Sequence, residues 1–79
     1  MTHEEREIER LIEVVARMIP KEHQSRDFYA QTAAHAPTPV TRQLFEHLAD
    51  QAAEHEMKLK AALRVLQTEL EDLRARAHG

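Results

Sequence analysis

The stretch "HAPTPVT", His35 to Thr41, holds two of the chain's three prolines within three residues of each other. Pro37 disfavours helical geometry at Ala36. Thr38 as N-cap and Pro39 at the first helical position then start a new helix. Elsewhere the chain has nothing comparable: its only glycine is Gly79, and Ala, Leu, Glu, Arg, Lys and Gln dominate the rest. One strong break in such a composition predicts an all-α fold of two long helices and a short turn. At the other end, Thr2-His3-Glu4-Glu5 fits a capping box, with the Thr2 hydroxyl on a free amide and Glu5 reaching back. The first helix therefore begins near residue 3, and the second runs to about His78.

Pro20 is a further breaker by type, but the apolar pattern ignores it. Ile8, Leu11, Val15, Met18, Glu22, Tyr29 and Ala33 share one face at 3.6 residues per turn, in phase through the proline. This predicts one helix kinked at Pro20; a true break at residues 19 to 21 is the alternative. The second helix carries Leu44, Phe45, Leu48, Ala52, His55, Leu59, Leu63, Leu66, Leu70 and Leu73 on its inner face. At 1.5 Å per residue the helices span about 50 and 60 Å. The short turn makes them an antiparallel hairpin, a single domain over residues 1–79.

A chain of 79 residues buries little apolar surface, and without cysteine no disulfide reinforces it. Two hairpins packed together form a four-helix bundle that hides both stripes, so the expected partner is a second copy, in a homodimer or a larger homo-oligomer. The formal charge is −3, with both signs interleaved along the chain, which leaves no electrostatic footprint for nucleic acid. "MTHEEREIERL" lacks the apolar core of a leader, and no stretch approaches the roughly 18 apolar residues of a membrane span. With no cysteine, the expected compartment is the cytoplasm.

Two polar residues interrupt the apolar faces. Glu22 sits at the centre of the first stripe, where an unpartnered charge costs several kcal/mol. His55 points inward on the second. Glu22 and His55 lie about 15 and 17 residues from the turn, so an antiparallel hairpin sets them at one level. A two-fold dimer would bring two glutamates and two histidines there, donors that suit iron, manganese or zinc. The alternative is a buried polar pair. Tyr29, on the same stripe, either supports a ligand through its hydroxyl or simply packs. His47 points outward, His3, His35 and His78 lie near helix ends, and His23 stands at a boundary. The acidic runs around Glu4 to Glu9 and Glu69 to Asp72 read as solvated faces with arginine partners three or four residues on. Phe28 falls about 120° from its stripe centre, an exposed aromatic.

Residues Lys21 to Leu63 resemble one half of a ferritin-like di-iron protein, nearest to the rubrerythrin and encapsulated-ferritin branches. Glu22, Phe28-Tyr29, Leu44-Phe45, Leu48-Ala49, His55 and Leu59 fall on positions of that pattern, which covers 43 of the 79 residues. The resemblance implies a two-helix hairpin that dimerises into a four-helix bundle, with Glu22 and His55 as metal ligands. It also implies iron as the metal and, in the encapsulated branch, a shell protein as partner. The pattern fails at one place: the glutamate of Glu-x-x-His would be residue 52, which is Ala52. A di-iron centre of this kind takes four carboxylates and two histidines, and a dimer of this chain offers two of each. Glu56, one turn beyond Ala52, is the candidate substitute.

Three readings follow: a ferritin-like homodimer with an incomplete Glu22/His55 site, a silent bundle that serves assembly or interaction, or an active ferroxidase or peroxide-reducing protein in which Glu56 or an exogenous ligand replaces the missing carboxylate.

Overall fold

The computed structural model describes residues 2–78, with the side chain of His78 outside that description. Helix α1 spans His3–Ala34 and helix α2 spans Pro39–His78, packed against each other as an antiparallel pair. Thr2 caps α1 as its sequence predicts, its Oγ1 accepting from the Glu5 backbone N–H at 3.1 Å. At the turn, the His35 and Ala36 amides donate to the carbonyls of Thr32 and Ala33, each at 3.2 Å. Thr38 then caps α2: its Oγ1 accepts from the Thr41 N–H at 3.2 Å, and its carbonyl accepts from Arg42 at 3.0 Å. The chain reverses without any left-handed residue, since His35 closes α1 at φ −108°, ψ 9°.

Pro20 lies inside α1 without ending it, so the alternative of a break at residues 19 to 21 is excluded. A proline removes one helical N–H, here the donor to the Ala16 carbonyl. Both Pro20 and Ala16 lie on the exposed side of the helix, where the freed carbonyl is open to solvent.

The hairpin is a rod of 61 × 14 × 12 Å with a radius of gyration of 18.0 Å, against about 12 Å for a compact domain of this length. Its accessible surface is 5990 Å², whereas a monomer of its mass typically exposes about 4,900 Å². Among the described residues only Ala33, Ala52 and Leu70 are buried apolar side chains. Each helix meets one neighbour, which leaves part of each apolar stripe uncovered. Ile8, Ile12, Val15 and Ile19 are half-buried against α2, while Leu11 and Met18 of the expected stripe stand 43% and 44% exposed. On α2, Leu48, Leu59, Leu63 and Leu66 are half-buried and Leu44 is exposed.

The acidic faces divide. Glu7 pairs with Arg10 and Glu13 with Arg17 along α1, as expected. Glu9 instead reaches across to Arg74 on α2. Glu5 is not solvated: it is buried in the first turn of α1 beside a hollow that Leu73 and Arg76 also line. A carboxylate there faces the positive end of the α1 dipole.

Candidate metal centre

The register of the hairpin brings Glu22 and His55 together, with Glu22 Oε2 3.7 Å from His55 Nδ1. That separation exceeds a hydrogen bond of about 2.7–3.2 Å. It does fit two ligands of one ion: first-row metals bind such donors at about 2.0–2.2 Å, so two of them stand at most roughly 4.3 Å apart. The pair is not enclosed. The Glu22 side chain is 29% exposed and that of His55 60% exposed, so His55, expected inward, lies on the open flank of the hairpin. Met18 and Leu59 adjoin the pair there.

A hollow of ≈ 240 Å³ opens beside the pair, with Ser25, Tyr29, Gln51 and Ala52 among its lining residues. Tyr29 is held between two rings, its centroid 5.8 Å from Phe28 and 6.4 Å from Phe45. Phe28 itself is exposed, as expected. Ala52, one turn before His55, is 3% exposed and contributes only a methyl group where the resemblance calls for a carboxylate. Among the described residues no group of three His, Asp or Glu side chains comes together. Glu22 and His55 are thus two potential donors side by side, without a third among the described residues.

Glu56 is committed elsewhere. It is 7% exposed, accepts from Lys60 Nζ at 2.8 Å, and lies 3.1 Å from His23 Nδ1. Arg26 adds a guanidinium 3.9 Å away, and Asp27 sits 3.4 Å from the other nitrogen of His23. The Lys60 bond, followed by His23, holds the Glu56 carboxyl below its ordinary value, while desolvation opposes them. Glu56 therefore faces the flank opposite Glu22 and His55. His23, the boundary histidine, anchors this second cross-helix pair, while His3, His35 and His47 are exposed.

Sequence reasoning missed the His23 and Glu56 pair, although a signal for it exists. The chain reads Glu22-His23 on α1 and His55-Glu56 on α2. In an antiparallel register that pairs 22 with 55, the next step on each helix pairs 23 with 56 on the other flank.

No curated protein matches this chain. No solved structure matches it either. The family model for rubrerythrin matches residues 3–79, a span that takes in both helices and the Glu22 and His55 pair. The two-helix fold agrees with this match, and the chain belongs to the rubrerythrin family.

Proposed function

We propose that this protein binds iron at the interface of a homodimer, through Glu22 and His55 of each chain. The observation that carries the reading is the 3.7 Å approach of Glu22 to His55 on an open apolar flank. The family usually binds iron, and a carboxylate with an imidazole is a donor set that suits it. A second copy laid on the same flank supplies the other carboxylate and imidazole, and covers Leu11, Met18 and Leu44. The roughly 1,100 Å² by which the hairpin exceeds a typical monomer surface compares with about 800 Å² buried per partner in a stable interface.

In this arrangement Glu22 holds charge against the ion and His55 binds as neutral imidazole. Tyr29 stands close enough to the hollow for its hydroxyl to orient a ligand, while its ring is packed by Phe28 and Phe45. Bound iron supplies Lewis acidity and a redox couple. With Ala52 lacking a donor and Glu56 engaged by Lys60 and His23, the dimer offers two carboxylates and two imidazoles, enough for one ion rather than two.

The test is elemental analysis of the protein loaded anaerobically with ferrous iron, alongside its mass in solution. The expected result is about one iron per dimer, lost in Glu22→Ala and in His55→Ala and retained in the outward-facing control His47→Ala. A wild-type dimer that takes up no iron would sink the reading and leave an assembly module built on the same fold.

A further inference from the structure

We propose that the outward face of α2 is a separate self-contact, on which a further copy of this hairpin docks antiparallel, α2 against α2. Its ground is the order of charges along that face. Asp50, Met57 and Arg64 follow one another at seven-residue intervals, two turns each, so they share one side of the helix. All three are exposed, whereas Ala52, Glu56 and Leu70 on the inner side are buried. From Glu46 to Glu54 the charged side chains are all acidic, and from Lys58 to Arg64 all are basic. A two-fold axis at Met57 therefore sets the acidic stretch of each copy on the basic stretch of the other, with Asp50 opposite Arg64 on both sides of the axis. A parallel arrangement would set Asp50 on Asp50 and Arg64 on Arg64. The charges select the antiparallel one.

The face is also short of partners within its own chain. Glu54 and Lys58 pair along the helix at 3.2 Å, both largely exposed, a bond that contributes little in water. Among the described residues Asp50 and Arg64 form no ion pair. At the centre Met57 is 72% exposed and Val65, two turns on, 67%, more than Leu11 or Met18 on the flank beside Glu22. Ala61 between them presents only a methyl group, which lets a second helix approach. Because this face points away from α1, the contact leaves the Glu22 and His55 flank free, and the two together join dimers into a tetramer or a longer array.

Sedimentation velocity of the full chain in about 10 mM and about 1 M salt tests the contact, since charges act over about 30 Å in the first and about 3 Å in the second. The wild type should sediment as a tetramer or larger in low salt and as a dimer in high salt. Asp50→Arg and Arg64→Asp, each at an exposed position, should each stay dimeric in low salt, because like charges then meet across the axis. Mixed in equal amounts, the two variants should regain the larger mass, since residue 50 of one again faces an opposite charge at residue 64 of the other. A wild-type mass that ignores salt would overturn the contact, and so would variants that assemble as the wild type does or a mixture no larger than its components. A wild type that never exceeds a dimer, but loses it in each variant and regains it on mixing, would keep this contact and overturn the dimer drawn beside Glu22 and His55.

Discussion

The two flanks of this hairpin are built from the same pair of residue types and behave in opposite ways. On one, His23 and Glu56 meet at 3.1 Å, with Lys60, Arg26 and Asp27 gathered round them and Arg74 reaching Glu9 further along. That flank satisfies its own charges. On the other, Glu22 and His55 stop at 3.7 Å among exposed Leu11, Met18 and Leu44. There no third carboxylate or imidazole joins the pair among the described residues, and apolar side chains along the flank stand exposed. In the proposed dimer the finished ionic surface faces water and the unfinished apolar one takes the second copy. The lesson is that a Glu and His pair means little by type. What surrounds it decides whether it is a fastening or half a site.

Three substitutions probe that contrast. Met18→Arg should have the largest effect, because it sets a charge on the flank assigned to the second copy, where desolvation without a partner costs several kcal/mol. Sedimentation should show a shift from dimer to monomer, with the melting temperature falling and becoming independent of protein concentration. A variant that keeps its dimeric mass would place the interface elsewhere.

Glu56→Gln should have an intermediate effect, visible mainly through pH. Lys60 and His23 hold the folded Glu56 carboxyl below its ordinary value, so on acidification the unfolded chain takes up that proton first. The stabilisation is present above the ordinary glutamate range and is lost as pH falls through the depressed folded value. Urea midpoints measured from about pH 6 down to about pH 3 should fall more steeply for the wild type than for Glu56→Gln. Parallel curves would mean that Glu56 is not the group responsible.

Arg74→Ala should have the smallest effect. Its bond to Glu9 joins two partly exposed side chains, and such pairs contribute under about 1 kcal/mol. Its loss should barely move the urea midpoint and leave the oligomeric mass unchanged, whereas a large drop would show that the far end of the rod depends on it.

The helices, their ends and the register were legible in the sequence because each rests on local chemistry. Thr2 and Thr38 cap where a threonine before a charged or proline-led turn should, and the stripe running through Pro20 in phase marked a single helix. The level shared by Glu22 and His55 followed from counting outward from the turn. What the pattern could not supply was which part of each stripe the neighbouring helix covers. Leu11, Met18 and His55 lie on the same broad stripe as Val15 and Ala52, and periodicity alone does not divide a stripe between a partner within the chain and one outside it. Glu5 was unreadable for a related reason: it is buried beside Leu73 and Arg76, some seventy residues away.

The glycine-free turn has a consequence for how the chain reaches this state. Pro37 and Pro39 restrict the connection before any contact between the helices has formed, so closing the short loop beside them carries little entropic cost. Each successive contact between α1 and α2 then spans a longer stretch of sequence than the one before, up to Glu9 with Arg74, 65 residues apart. The hairpin should therefore close like a zipper, from Thr38 towards Thr2. Amide exchange should run along the same gradient, with the Glu22 and His55 level near the middle of the rod closing before its open end does.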